Sequence, residues 1–336
     1  MENWDILRNI WFILIGVLFI GYSILDGFDL GIGALFPFLG KKEEEKEALI
    51  KSIGPFWDGN EVWLLTGGGA LFAAFPHAYA TAFSGFYLAL MVVLFSLIFR
   101  AVSLEFRAHD TKRKGFWEGA FMVGSFLPSL LFGVALGNVV VGVPLDNTMN
   151  YTGNFFTLLR PFPLAVGLLG LVAFLIQGST YGAMKVGGVV QERARHIAKT
   201  LFFPYKILLL LVFILTIVYM PEALKKPLAW VSTAFLGCAL IVLYFSLQKA
   251  KDSQAFLSSS LAFMSLWGIM GAIHFPYLVK ASNDPALSLT IYNASSSELT
   301  LKVMLIIVLV GMPIVIGYTI YLYKIFKGKI SVEAAD

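Results

Sequence analysis

The chain has 336 residues, 58% of them hydrophobic and 15% aromatic, with a mean hydropathy of +0.79 and a formal net charge of +4. Soluble domains do not carry this composition, which points to an all-α integral membrane protein embedded in a lipid bilayer. So small a charge gives no footprint for a nucleic-acid partner, and the one cysteine, Cys238, excludes an internal disulfide or a cysteine-based metal site.

Nine apolar runs are long enough to span, at about 20 residues each. They lie near 10–36, 54–76, 79–99, 119–142, 162–181, 201–220, 228–247, 256–278 and 301–323. The first follows an acidic, mixed segment (Glu2, Asp5, Arg8), and no small-residue cleavage site follows it, so it is expected to stay as a helix. Late in this run comes Asp26-Gly27-Phe28-Asp29-Leu30-Gly31. The mixed-charge stretch Lys41–Lys51 is expected to form a short helix with a solvated face. The second run opens with Trp57-Asp58-Gly59-Asn60-Glu61-Val62-Trp63 and contains Gly67-Gly68-Gly69. Those glycines and the ones in the first run suit a close-packed helix interface, and a face against a partner subunit is expected there. A tight turn is expected over Pro76–Tyr79, and the third run ends at Arg100. The remaining loops are short, so residues 1–336 read as one membrane domain.

Lysine and arginine set the orientation. With the N-terminus outside, nineteen of them fall in inward-facing segments and six in outward-facing ones. An outside N-terminus with a cytoplasmic C-terminus requires an odd number of spans, which nine satisfies. Asp26, Asp29, Asp58, Glu61 and Arg100 then lie at similar depth, toward the cytoplasmic half of three consecutive helices. An acid at mid-membrane costs roughly 2.5–3.5 kcal/mol on insertion scales, so it ordinarily has a partner, a wet cavity or a proton to carry. The i, i+3 spacing of 26 with 29, and of 58 with 61, puts each pair on one face. Four carboxylates cannot all ionise at that depth. Desolvation and like charge are expected to keep some protonated while Arg100 holds at least one as an anion. Mixed protonation in a row suits a proton relay. A purely structural account, in which the charges pin helix ends at the interface, stays open, and Asp29 and Glu61 are the members it fits best.

Haem iron needs an axial ligand such as His or Met in a buried pocket. His109 and His196 fall in basic loops, whereas His77 and His274 fall near the outer surface, and no haem bound by this chain is expected. A Walker A sequence, a dinucleotide loop and a serine elbow are absent.

Five segments together resemble one family. Gly21-Tyr22-Ser23-Ile24-Leu25-Asp26-Gly27-Phe28-Asp29-Leu30-Gly31 is similar to its first-helix signature. Trp57 to Leu64, followed by Gly68 to Pro76, is similar to its second. Ala82 to Tyr87, Tyr151 to Phe156 and Ser296 to Met304 complete the pattern. The family is subunit II of cytochrome bd-type quinol oxidase. The resemblance implies nine transmembrane helices in two four-helix bundles plus one peripheral helix. It implies a pseudo-symmetric pairing with a haem-bearing subunit I that carries two b-type haems, one d-type haem and the quinol-binding loop. It also admits a small single-helix accessory subunit. The implied complex lies in the bacterial cytoplasmic membrane, oxidises quinol at the outer face and reduces O₂ to water with cytoplasmic protons, building a proton-motive force without pumping. Asp58 matches an aspartate on a proposed cytoplasmic proton route near the subunit interface. Asp29 and Arg100 match positions thought to support the haem site from across it. Residues 221–227 form a shorter connection than in the longest members. A proton-coupled transporter would also place acids and glycines in membrane helices, but repeats and midplane sites in broken helices are its usual marks. Here the acids cluster toward one side.

Overall fold

The computed structural model describes residues 2–332. The chain folds into helices α1 (Glu2–Leu39), α2 (Glu43–Ile53), α3 (Trp57–Ala74), α4 (Pro76–Gly85), α5 (Tyr87–His109), α6 (Lys114–Val141), α7 (Pro161–Lys185), α8 (Gly188–Tyr219), α9 (Pro227–Gln248), α10 (Asp252–His274) and α11 (Glu298–Ile325). A two-stranded antiparallel hairpin, β1 (Tyr277–Val279) with β2 (Leu289–Thr290), joins the last two helices. Prolines sit in the first turn of α4, α7 and α9, where the missing N–H would have had no helical partner.

Eight of the helices are long and apolar enough to cross a membrane: α1 and α5 to α11. The expected second apolar run also forms a helix, α3, whose 18 residues reach about 27 Å. It is not among the eight because Asp58, Asn60, Glu61 and its three glycines dilute its hydropathy. The expected third span begins later than its apolar run. The short helix α4 takes up residues 76–85, and α5 continues to His109, so Arg100 sits inside a helix and not at its end. Several helices outrun their apolar cores, α8 starting at Gly188 and α1 at Glu2, because helix geometry continues through charged turns that can ion-pair in water.

α1 is the hub. It packs on α3, α6 and α7, and α7 in turn packs on α6, α8 and α10. At Gly31 and Gly178 the backbones of α1 and α7 touch, and a Cβ on either residue would run into the other's main chain. Four of the first-helix glycines therefore pack within this chain: Gly21 on Trp63, Gly27 on Phe174, Gly31 on Gly178 and Gly33 on Ser125. Gly67 lies against Phe19 of α1, while Gly68 and Gly69 face open space. Of the glycines expected to meet a partner subunit, Gly16 of α1 and those two of the triplet are left for it.

α11 is the outlier, with 6% of its most apolar window buried. Its ends hold it. Leu301 is fully buried near the start, and its carbonyl accepts from Trp11 Nε1 at 3.0 Å. Beyond the far end, Ile330 forms a parallel bridge with Val186, and Lys185 Nζ donates to the Phe326 carbonyl.

The stretch Lys41–Lys51 forms the short helix expected of it, with Glu44, Glu47 and Lys51 on an exposed face, but Glu43, Glu45 and Lys46 are paired. α2 is a hub of ion pairs. Glu43 meets Arg107 at 2.9 Å and Lys114 at 2.5 Å. Lys46 meets Glu118 at 2.7 Å. Glu45, buried, meets Arg193 at 2.6 Å and accepts from the backbone N–H groups of Lys41 and Lys42. These bonds tie α2 to α5, α6 and α8.

Candidate functional site

The five charged residues singled out above separate into three environments. Asp26 of α1 and Arg100 of α5 form a two-pronged pair, with Nη1 donating to Oδ2 at 2.9 Å and Nη2 to Oδ1. They are 0% and 1% exposed. Gly124 of α6 lets α5 approach closely there, since a Cβ on it would meet the Ser96 carbonyl and the Arg100 N–H. A planar guanidinium matches a carboxylate's two oxygens, which is why arginine and not lysine suits a dry site.

Asp29 lies one turn further along α1 and is 0% exposed. No cation bonds to it. Its Oδ2 accepts from Asn60 Nδ2 at 2.8 Å, and its Oδ1 is buried without a partner. Asn60 also donates to the Leu25 carbonyl at 3.3 Å and accepts from the Tyr323 hydroxyl of α11 at 3.5 Å. Tyr323 stacks on Phe56 with ring centres 4.3 Å apart. Nearby, Tyr181 stacks on Phe28 and donates to the Ser52 carbonyl at 2.8 Å. The Tyr22 hydroxyl, four residues before Asp26, is buried without a partner.

Asp58 and Glu61 are different again. Asp58 is exposed, Glu61 is half-buried, and neither makes a hydrogen bond or ion pair among the described residues. A helix turns about 100° per residue. Asn60 therefore points into the chain while Asp58 and Glu61, three apart, share the outward side. Asp58, Val62, Leu65, Gly69 and Phe72 form a continuous exposed stripe along α3. The structure thus brings Asp26, Arg100 and Asp29 together in the interior and leaves Asp58 and Glu61 on the rim. Asn60 and Tyr323 were not among the expected site residues. Asn60 stands inside the acidic motif of α3, and that is the one signal that could have found it. Nothing in the sequence marks Tyr323.

Of the histidines, His274 is the last residue of α10, at the helix end where it was expected, but it is buried. It is 5% exposed, and neither ring nitrogen has a partner among the described residues. It lines an apolar cavity of about 450 Å³ between α1, α6, α7 and α10. A haem in this cavity would bring two carboxylates, yet the lining contains no Lys or Arg to meet them. The residues present do not fit a haem.

The chain is similar to known proteins along nearly its whole length. The family model for cytochrome bd terminal oxidase subunit II matches residues 7–326. The chain is 36% identical over 373 aligned residues to the cytochrome bd-I ubiquinol oxidase subunit 2 of Escherichia coli (strain K12), covering 99% of this chain and 97% of that one. It is 34% identical over 333 residues to the cytochrome bd ubiquinol oxidase subunit 2 of Bacillus subtilis (strain 168), covering 97% of each. Its fold matches a chain in the structure of bd oxidase from Geobacillus thermodenitrificans with a TM-score of 0.81 at 16% identity, over 95% of this chain and 98% of that one.

Proposed function

The chain belongs to the family of cytochrome bd terminal oxidase subunit II, a multi-pass protein of the bacterial cytoplasmic membrane, and on that premise we propose that it is the haem-free subunit of a quinol:O₂ oxidoreductase and supplies part of the proton path to the site where O₂ becomes water. In this reading α3 is the ninth crossing. It tolerates its polar turns because its outward stripe is covered by the haem-bearing subunit I. The resemblance implies two groups of four helices plus one peripheral helix, and the sparsely buried α11 is the peripheral one in this reading. The N-terminus lies outside and the C-terminus in the cytoplasm. Quinol is oxidised at the outer face, protons are drawn from the cytoplasm, and the charge separation builds a proton-motive force without pumping. The two b-type haems and the d-type haem belong to the partner, where they carry the electrons to O₂. The resemblance also admits a small single-helix accessory subunit beside the pair.

The observation that carries this reading is the placement of Asp58 and Glu61, unpaired among the described residues, on the outward side of the same turn of α3 whose Asn60 bonds to the buried Asp29. Asp58, at the exposed end of the stripe, takes a proton on its carboxylate and releases it toward the partner. Glu61, one turn on, shares that task. Arg100 and Asp26 hold a fixed pair of opposite charges beside them, which orders the local field without exchanging protons. The clamp of Arg100 on Asp26 favours a second, structural role for those two residues.

The test is a substitution series in the assembled complex. Asp58→Asn should slow O₂ consumption roughly tenfold or more, the scale of a lost proton-transfer group, while quinol still reduces the haems. Asp58→Glu should keep more activity than Asp58→Asn, because it can still be protonated. Normal turnover and charge separation in Asp58→Asn with full haem content would remove the residue from the path. Loss of haem from Asp58→Asn would make it structural.

A further inference from the structure

Asp26 and Asp29 share one face of α1, yet their partners differ in kind. Both oxygens of Asp26 are engaged by Arg100, so a proton on either would face an N–H and lose an ion pair. Asp29 has a neutral partner on one oxygen and none on the other. The amide N–H of Asn60 bonds to Oδ2 both when the group is a carboxylate, where the bond is stronger, and when it is an acid protonated on Oδ1, because Oδ2 remains an acceptor in both states. The contact therefore selects which oxygen can carry a proton without dictating whether it does.

The orientation of the Asn60 amide decides this. With the amide reversed, its oxygen would face Oδ2 of Asp29, which could then bond to it only as the protonated O–H, and the proton would be carried on Oδ2 instead. Two contacts oppose reversal: the Leu25 carbonyl accepts from Nδ2, and the Tyr323 hydroxyl donates to Oδ1. Tyr323 is held in turn by its stack on Phe56 and by the anchoring of the chain after α11 to Lys185, Val186 and Gly187. The loosely packed last helix thereby reaches a buried carboxyl of the site.

We propose that Asn60, oriented by Tyr323 of α11, is a positioning residue that makes Oδ1 of Asp29 the atom on which the buried site holds its exchangeable proton. This rests on the proton-path reading above. A proton reaches Oδ1 from the Asp58–Glu61 side and leaves from the same oxygen toward the partner. The N–H bonds of Asn60 and the O–H bond of Tyr323 stay intact, and neither residue passes a proton.

The experiment uses the whole two-subunit complex. Tyr323→Phe keeps the aromatic stack and removes the hydroxyl, and Asn60→Leu removes the amide. Haem content and the quinol KM should be unchanged in both, while kcat falls roughly three- to tenfold, the scale of one neutral hydrogen bond, more in Asn60→Leu than in Tyr323→Phe. Redox-induced infrared difference spectra should contain a carboxyl band that is lost in Asp29→Asn and shifted in both positioning variants. A band that keeps its position in Tyr323→Phe and Asn60→Leu, or one that survives Asp29→Asn, overturns the proposal. So does a fall in Tyr323→Phe activity that merely tracks lost haem. Asp58→Asn is measured alongside. If it is slow while Tyr323→Phe and Asn60→Leu are normal, this inference alone fails; if it turns over normally, the proton-path reading fails.

Discussion

At the residue scale, the pair Arg100–Asp26 sets the terms for everything around it. Two charges removed from water are tolerated only with good geometry, and removing one partner leaves the other uncompensated at a loss of about 3–5 kcal/mol. Arg100→Leu should therefore lower the yield and thermal stability of the complex sharply. The double change Arg100→Leu with Asp26→Leu should do less harm than the single one, since no charge is then left bare. Thermal unfolding of the purified complex distinguishes the two, and a double variant at least as unstable as Arg100→Leu would contradict the account. The charged members of this site were legible in the sequence, because acids in apolar runs are rare. Their division of labour was not. Asp29, which looked like a structural member, is the buried carboxyl without a cation, and Asp58 is on the rim. Period and spacing give each helix its own faces but not which face meets which. The contact of Tyr323 with Asn60 joins residues 263 positions apart, a distance over which no local pattern reaches.

At the element scale, α2 shows how one charge run can serve both a wet face, through Glu44, Glu47 and Lys51, and a set of ion pairs. Its apolar side, Leu49 and Ile53, is fully buried, while Glu43, Glu45 and Lys46 find partners on three other helices. The hydrogen-bonded Arg193 guanidinium, helped by two backbone N–H groups, pulls the Glu45 carboxyl down to about 2. A carboxyl whose value is lowered on folding stabilises the fold above its ordinary value, 4.5, and loses that contribution as pH falls toward 2. Glu45→Gln should thus lower the melting temperature of the complex at neutral pH, and the difference from the unaltered protein should shrink in scans at about pH 3.5. A difference that is constant across that range would mean the pair contributes packing and not charge. The spans themselves were largely legible, because a run of apolar residues forms a helix in lipid whatever its neighbours. The exceptions have a common cause. α3 carries the site, and its polar turns and glycines lower its hydropathy. The start of α5 was misplaced because Pro76 nucleates a separate short helix.

At the scale of the whole molecule, the outward stripe of α3 and the exposed Leu88, Val92, Phe95 and Phe99 of α5 form an apolar flank beside the acidic rim. An exposed acid on a flank of this kind makes sense where another protein covers the helix and takes up what the acid delivers. The central claim is that protons for O₂ reduction enter through this rim. Its most direct test is the rate of proton uptake by the complex oriented in sealed vesicles, followed with a pH dye on the side that bears the basic segments around Lys112–Lys114 and Lys324–Lys329. Uptake and O₂ consumption should slow together in Asp58→Asn with haem content intact, and both should recover in part in Asp58→Glu. Uptake from that side at the unaltered rate in a fully haem-loaded Asp58→Asn complex would contradict the account.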